Sequence, residues 1–278
     1  MLRLYATNQA FLLERADTYV SLAGDFTLDA LFGAADPVAF ATAAFASGKP
    51  ESAPVSTASH APLIQSQEVW AAGVTYMRSK SARMAESRDT GGGTFYDRVY
   101  EADRPELFFK ATPHRVVATG GGVRIRSDSK WNVPEPELTL AINAAGKIFG
   151  FTVGNDMSSR DIEGENPLYL PQAKVYDRSA ALGPCLVITR DLPAPTTVIA
   201  LEIRRAGIPV FTGDTTLASL MRPLPSLADW LFRDNSFPRG CYLMTGTGII
   251  PPDTFTLCRG DEIRITIAPA GTLVNTVL

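Results

Sequence analysis

Short apolar runs separated by turns are the sequence feature that most constrains the fold of this chain. They begin at residue 68, and glycine or proline lies between many of them. Runs of this kind are typical of β-strands. We predict strands over 68–76, 106–109, 115–118, 138–143, 148–154, 184–190, 197–204, 241–245 and 261–267. Neither GxGxxG nor GxxxxGK[ST], the motifs of nucleotide-binding folds, occurs in the sequence. The pattern therefore predicts a β-rich α+β domain.

Helical patterns are few. Residues 27–48 indicate short helices broken at Pro37, and residues 217–232 indicate one longer helix whose start is disturbed by Pro223 and Pro225. The N-terminal residues 1–8 fit an edge strand.

Residues 49–62 are rich in Pro, Ser and Ala, which is typical of a linker, and we expect His60 there to be solvated. The sequence thus predicts a small N-terminal domain and linker over 1–62 and a main domain over 63–278.

The charge balance excludes several classes of partner. The chain of 278 residues has 26 basic and 29 acidic residues. A formal charge of −3 lacks the excess of positive charge that binding to nucleic acid or an anionic membrane needs. No apolar stretch approaches the roughly 20 residues of a membrane span. Asn8, Glu14 and Arg15 interrupt any N-terminal signal sequence, and the three cysteines have no CxxC spacing. These features predict a cytoplasmic protein with reduced thiols.

Only two histidines occur, so any metal here would have to depend on carboxylates. In an extended chain Glu135 and Glu137 project from one face, because residues two apart face the same way. Pro134 and Pro136 cannot donate to a sheet ladder, which predicts an edge or irregular segment.

The segment 144–147 (AAGK) predicts a hairpin turn after this run. If the turn is centred between residues 145 and 146, Glu137 lies opposite Gly154 and Glu135 lies opposite Asp156. Like charges so close together repel unless a cation lies between them. The hairpin therefore predicts a site for a hard divalent cation, and the alternative is a solvated acidic hairpin.

Several spaced motifs resemble the fumarylacetoacetate hydrolase family over roughly residues 68–278. They are PEPELTLAI (134–142), GFTVGNDMSSRD (150–161), AKVYDRSAALGP (173–184) and LMTGTG (243–248). The resemblance implies a mixed β-roll with a small N-terminal α/β domain, and a homodimer. It also implies Mg²⁺, or another divalent cation such as Mn²⁺ or Ca²⁺, bound by Glu135, Glu137 and Asp156. Lys174 matches an active-site lysine of the family, while Gly183-Pro184 and residues 246–248 match structural and substrate-contact motifs.

One motif departs from the family pattern. Family hydrolases carry GxNYxxHAxE, whose histidine is the base that activates water. Here Thr75 replaces the asparagine, Ser79 stands at the histidine position and Ala82 replaces the glutamate. This argues against hydrolysis. His114 could substitute as a base, although its position after Pro113 favours a turn or surface role.

The segment 161–174 resembles the 2-keto-3-deoxy-D-arabinonate dehydratase subgroup of the family. That resemblance implies Glu106 as the acid/base group, although from the residues alone a salt bridge with Arg104 or Lys110 is the alternative. Lys174 would act as a point charge beside the developing enolate, with a Schiff-base role as the alternative.

Other polar and aromatic side chains are candidates for contacts with the hydroxyls and carboxylate of the substrate. They are Tyr76, Arg78, Ser79, Lys110, Tyr169, Gln172 and Thr247. Packing is the alternative role for Tyr76 and Tyr169, and solvent exposure is the alternative for Arg78. The charged segment 77–104, which contains Gly91–Gly93, fits either a solvated helix face or a mobile lid.

The resemblance implies Mg²⁺-dependent dehydration of a 2-keto-3-deoxy sugar acid, 2-keto-3-deoxy-D-arabinonate, to 2,5-dioxopentanoate. Hydrolysis of an acylpyruvate or fumarylpyruvate, and tautomerisation or decarboxylation of a diketo acid, use related enolate chemistry and stay open. A protein that binds a keto acid without turnover is a further alternative.

Overall fold

The computed structural model describes residues 1–51, 60–76, 99–100 and 102–278. The strands are β1 Leu2–Ala6, β2 Phe11–Arg15, β3 Thr18–Ser21, β4 Lys49–Glu51, β5 Glu68–Gly73, β6 Glu106–Ala111, β7 Val116–Val117, β8 Gly122–Val123, β9 Asn132–Ile142, β10 Ile148–Ser159, β11 Ala180–Ile188, β12 Val198–Arg205, β13 Ile208–Thr216, β14 Cys241–Met244, β15 Glu262–Ile267 and β16 Gly271–Val277. The helices are α1 Leu28–Gly33, α2 Pro37–Ser47, α3 Arg160–Glu165, α4 Leu170–Lys174 and α5 Leu224–Phe232. Single 3-10 turns occur at Pro113–Arg115, Pro167–Tyr169 and Leu217–Ser219.

The described strands form two sheets. The larger has the order β4-β3-β2-β1-β11-β10-β9-β14-β5-β6, with β7 paired to β11, and the smaller has the order β13-β12-β15-β16-β8. Most neighbours are antiparallel, while β14 with β5, β11 with β7 and β16 with β8 are parallel. The prediction of a β-rich mixed fold is confirmed, and each of the nine predicted ranges overlaps a strand whose ends are shifted.

Two apolar cores cover the two faces of the larger sheet. The isoleucines of β12 and β15 pack with Leu138, Leu140 and Ile142 of β9 on one side. On the other side, α1 residues such as Phe32 pack against Ala141 and Phe149. Because β9 lies between both cores, each of its residues is buried. Polar groups on this strand are therefore held in surroundings of low dielectric constant.

The N-terminal strand was expected at an edge, and this prediction is wrong. β1 pairs with β2 on one side and with β11 on the other, so it lies inside the larger sheet. The apolar alternation of Leu2, Leu4 and Ala6 accounts for this position, since all three side chains are buried. The division of the chain at residue 62 stays a prediction.

His60 and the predicted linker also differ from expectation. β4, which lies within the predicted linker, pairs with β3, and His60 forms an antiparallel bridge with Thr7. The imidazole is half-buried, with its centroid 6.2 Å from the ring of Tyr5, so the prediction of a solvated residue is wrong. Residues 52–59 lie outside the described part of the chain.

The predicted helix over 217–232 is shorter in the structure. Residues Leu217–Ser219 form a 3-10 turn, Leu220 bridges to Tyr76, and α5 begins only at Leu224. Pro223 and Pro225 explain the difference, because proline disfavours helical backbone in the residue before it and is tolerated in a first helical turn. In the part of the chain that the structure describes, no helix is both long and apolar enough to cross a membrane.

Candidate metal centre

The hairpin of β9 and β10 has the register predicted from the sequence. Glu137 lies opposite Gly154, and Glu135 lies opposite Asp156. A register shift between Ile148 and Gly150, next to the turn, precedes this stretch. All three carboxylates therefore project from the same face of the sheet.

Proline is accommodated in β9 because the strand has a neighbour on only one side along its first half. β10 pairs with the whole of β9, whereas β14 pairs only with Thr139–Ile142. Thr245 N donates to Leu138 O, so the polar backbone groups of Leu138 point to the β14 side. Backbone groups alternate along a strand, so the nitrogens of Pro134 and Pro136 point to that side too, beyond the end of β14. The predicted edge position is confirmed for this half.

The three carboxylates form a compact and almost fully buried cluster. One oxygen from each of Glu135, Glu137 and Asp156 lies within 4.8 Å of the others, and the residues are 3%, 1% and 1% exposed. Burial, together with the charges of Asp156 and Glu135, raises the pKa of Glu137 well above its usual range. A hard divalent cation relieves this repulsion, and oxygen ligands are those that such ions prefer. The residues thus fit the predicted cation.

Each carboxylate also has a defined partner that orients it. The Arg160 guanidinium lies 2.7 Å from Glu135 Oε1, and Gly246 N donates to Glu137 Oε2 at 2.6 Å. Lys174 Nζ lies 2.5 Å from Glu135 Oε2 and 3.3 Å from Asp156 Oδ2. Such partners fix the orientation of metal ligands.

Arg160 was not singled out from the sequence, although it lies within a quoted motif. It begins α3 directly after β10, and its guanidinium is 2% exposed. Its Nε also lies 3.9 Å from Oε2 of Glu163, another buried carboxylate, to which Ser158 donates a hydrogen bond. The available signal was its spacing of four residues from Asp156, because an even spacing in an extended segment places two side chains on the same face.

Glycine is required at position 154 of β10, because side chains from β9 and β14 fill the space that a Cβ atom would need. A Cβ atom there would lie 2.1 Å from Thr139 Oγ1 and 3.2 Å from Met244 Cε, both buried. We expect Gly154→Ala to lower the free energy of unfolding by roughly 1–3 kcal/mol, the usual cost of overpacking. Denaturant unfolding measures this. Gly24→Ala is the control because no atom lies within 4 Å of its added Cβ. Equal stability of the two variants would contradict the prediction.

Glu106 lies at the start of β6, opposite Gly73 of β5. A Cβ on Gly73 would lie 2.0 Å from Glu106 Oε2, so the glycine makes space for the carboxylate. Gly73 lines the cavity of the carboxylate cluster, and Glu106 lines a neighbouring cavity of about 650 Å³. Its carboxylate is thus placed at the boundary of the two.

The cations suggested as salt-bridge partners of Glu106 have other contacts. Lys110 Nζ lies 2.8 Å from Asp156 Oδ1, and the Arg104 guanidinium lies 4.6 Å from the ring centroid of Trp230.

The predicted substrate contacts lie at different depths. Thr247 lines the cavity of the cluster together with Phe108. Lys110 is fully buried beneath the cluster, and burial is the main cause that lowers its pKa. Tyr76 is only 1% exposed and packs beside Gly248.

The remaining predicted residues lie away from the lining of that cavity or outside the described chain. Tyr169 and Gln172 are exposed, on the 3-10 turn before α4 and on α4 itself. His114 is exposed, with Nδ1 3.0 Å from Thr112 Oγ1. Arg78, Ser79 and most of the predicted lid segment 77–104 lie outside the described residues.

Comparison with known proteins places the chain in a family. The model of the fumarylacetoacetate hydrolase C-terminal domain matches residues 69–278. A Haloferax volcanii protein named probable 2-keto-3-deoxyxylonate dehydratase is 46% identical over 215 residues, which is 77% of this chain and 73% of that protein. The 2-dehydro-3-deoxy-D-arabinonate dehydratase of Saccharolobus solfataricus is 41% identical over 216 residues, 77% of this chain and 72% of that protein.

A solved structure extends the similarity to nearly the whole chain. It is 2-keto-3-deoxy-D-arabinonate dehydratase complexed with magnesium and 2,5-dioxopentanoate, with a TM-score of 0.83 and 33% identity, covering 99% of this chain and 98% of that one. Its fold similarity includes the N-terminal strands, which the family model does not match. The chain therefore belongs to the fumarylacetoacetate hydrolase family.

Proposed function

We propose that this protein is a Mg²⁺-dependent hydro-lyase that converts 2-keto-3-deoxy-D-arabinonate to 2,5-dioxopentanoate. The observation that carries the proposal is the buried cluster of Glu135, Glu137 and Asp156, with Lys174 Nζ against two of its oxygens. The similarity to two dehydratases at 41–46% identity supports the choice of reaction.

Glu135, Glu137 and Asp156 would hold the cation. When bound, a divalent cation supplies Lewis-acid chemistry to a 2-keto acid, which acidifies the C3 hydrogens. Lys174 places a positive charge beside the same oxygens, where it stabilises negative charge that develops on the substrate.

Glu106 is the group to which we assign the proton transfers. As a base it takes a proton from C3, and as an acid it returns that proton to the hydroxyl that leaves C4, so that one water is released. The resulting C3–C4 double bond becomes the aldehyde when a proton moves from C5 to C3 and the C4–C5 enol tautomerises. One carboxyl group can carry these protons in turn if it lies close to C3 and to the hydroxyl group on C4.

The names of the two dehydratases are compatible with one substrate. D-Xylonate and D-arabinonate differ in configuration only at C2 and C3. In the 2-keto-3-deoxy acid, C2 is a carbonyl and C3 is a methylene, so neither carbon remains a stereocentre. Acids derived from either D-pentonate are therefore the same molecule, and C4 is the centre that the site has to recognise.

We also propose that the protein is a homodimer, as the family resemblance suggests. The cysteine pattern supports a location in the cytoplasm. Light scattering coupled to size-exclusion chromatography tests the dimer, and a mass equal to one chain of 29.9 kDa would contradict it.

The reaction is tested by product analysis. Incubation with Mg²⁺ and 2-keto-3-deoxy-D-arabinonate is expected to release 2,5-dioxopentanoate, which mass spectrometry identifies. EDTA is expected to stop the reaction, and added Mg²⁺ to restore it. An acylpyruvate and oxaloacetate serve as comparison substrates. Release of pyruvate from the acylpyruvate, or faster tautomerisation of oxaloacetate, without any dehydration would overturn the proposal, and binding without turnover would indicate a sensor.

A further inference from the structure

Lys110 is a fully buried lysine that contacts Asp156 of the metal centre and lines neither of the two cavities described above. The sequence predicts Lys110 as a substrate contact. We propose instead that Lys110 is a positioning residue, which fixes Asp156 and the end of α4 and does not touch substrate. Its role in turnover rests on the proposed function, but its role in metal binding does not.

Three contacts of the ammonium group carry the inference. Lys110 Nζ lies 2.8 Å from Asp156 Oδ1 and donates to Met157 O at 3.0 Å. It also donates to the carbonyl oxygen of Lys174. The three partners belong to β10 and α4, while Lys110 itself belongs to β6. One side chain thus connects the three elements that carry Asp156, Lys174 and Glu106.

The position of Lys110 along β6 explains why it is deep. Glu106 and Phe108 are two residues apart and share one face of the strand, whereas the register shift in the pairing with β5 falls at Lys110. Glu106 lines the wider cavity and Phe108 lines the cavity of the cluster, whereas Lys110 lines neither and has no exposed side-chain surface. A substrate that meets the first two residues is separated from the third.

The end of α4 needs such a contact. This helix has only five residues, and helices so short are not stable alone. The carbonyl oxygen of its last residue accepts from Lys110, and that of Gln172 accepts from Arg126 at 3.1 Å. The backbone from which the Lys174 ammonium extends is therefore fixed largely by tertiary hydrogen bonds.

Asp156 has its two oxygens in different surroundings. Oδ1 lies against Lys110, and Oδ2 lies 3.3 Å from Lys174 Nζ. Loss of the Lys110 ammonium would leave buried oxygens without their charged partner, which is costly and favours rotation of the carboxylate. A metal ligand that loses the group orienting it binds its ion less tightly.

The test is Mn²⁺ binding to Lys110→Met and Lys110→Arg, measured by calorimetry and by the electron paramagnetic resonance spectrum of the bound ion. Methionine keeps the side-chain length without the charge, whereas arginine keeps a charged donor. We expect Lys110→Met to raise the Kd for Mn²⁺ about 10- to 100-fold, which is the usual effect of removing a group that orients a metal ligand. We also expect the spectrum to change. Lys110→Arg is expected to recover part of the affinity.

Arg205→Met is the matched control, because Arg205 also contacts a buried carboxylate, that of Asp261, and donates to a backbone carbonyl, but lies on β12 of the smaller sheet. Its Kd is expected to stay within about twofold of the wild-type value. If Lys110→Met does not fold, as judged by circular dichroism, the likewise uncharged Lys110→Gln decides: a raised Kd with a changed spectrum supports positioning, and an unchanged Kd and spectrum contradict it.

Two outcomes would overturn the inference. One is unchanged or tighter Mn²⁺ binding by a folded Lys110→Met variant. The other is a raised KM with unchanged Mn²⁺ affinity and kcat, which would make Lys110 a substrate contact. Because Mn²⁺ binding is measured without substrate, failure of the proposed dehydration leaves this test intact.

Discussion

Replacing Glu135 and Glu137 together by glutamine is expected to abolish both divalent-cation binding and turnover. The change removes two of the three negative charges whose oxygens lie within 4.8 Å of one another. Amide oxygens are neutral and bind a hard cation weakly. We expect the Kd for Mn²⁺ to rise by more than roughly 100-fold, which is the largest usual effect of removing a group that only orients a metal ligand. Turnover is expected to fall by on the order of 10³-fold or more, since Lewis-acid stabilisation contributes several kcal/mol.

Calorimetry with Mn²⁺ and product analysis measure the two effects in the same preparations. The matched control is Glu202→Gln with Glu262→Gln, which also removes two carboxylates but on β12 and β15 of the smaller sheet, where both contact Arg264. Circular dichroism checks that all variants are folded. Turnover by the Glu135/Glu137 variant in the presence of EDTA would disprove the metal assignment.

Glu106→Gln is expected to lose turnover while the metal centre stays intact. Glutamine keeps the size of the side chain beside Gly73 but cannot take a proton from C3. General acid–base groups usually contribute 10²–10⁴-fold, so we expect kcat to fall by about that factor. The Kd for Mn²⁺ is expected to change little, because Glu106 is not one of the three clustered carboxylates.

Glu68→Gln is the control for this variant. Glu68 lies on the neighbouring strand β5, is exposed, and accepts a hydrogen bond from Trp70 Nε1 at 2.8 Å. Its removal is expected to leave kcat unchanged within about twofold. An unchanged rate for Glu106→Gln would remove Glu106 as the acid/base group. A large loss of Mn²⁺ affinity would instead make it part of the metal centre.

The pairing of the carboxylates was predicted from local patterns. A turn centred between residues 145 and 146 with strict alternation places Asp156 opposite Glu135, and the structure has that pairing. Next to the turn, however, Ile148 lies opposite Ile142, and the register shift between Ile148 and Gly150 produces the predicted pairing beyond it. Alternation alone does not predict such an irregularity. The strands around them were also predictable, because each is a short apolar run that ends at a turn.

Long-range pairing was not predictable from local patterns. The first strand was expected at an edge, yet β11, from more than 170 residues further along the chain, pairs with it. His60 was expected in solvent, yet it bridges to Thr7. Nothing in an isolated apolar run specifies its partner, since any strand offers the same backbone hydrogen-bonding groups.

The sequence by itself determined that three carboxylates meet on one hairpin and that a hard cation suits them. Only the tertiary structure decided which cations orient them. These cations come from three different elements, with Arg160 on α3, Lys174 on α4 and Lys110 on β6. The residues around a lysine in the sequence do not indicate whether its side chain contacts substrate or packs behind a metal ligand. Burial distinguishes these roles, and burial depends on how distant elements pack. That is why Lys110 could be named from the sequence, while its place beneath Asp156 could not.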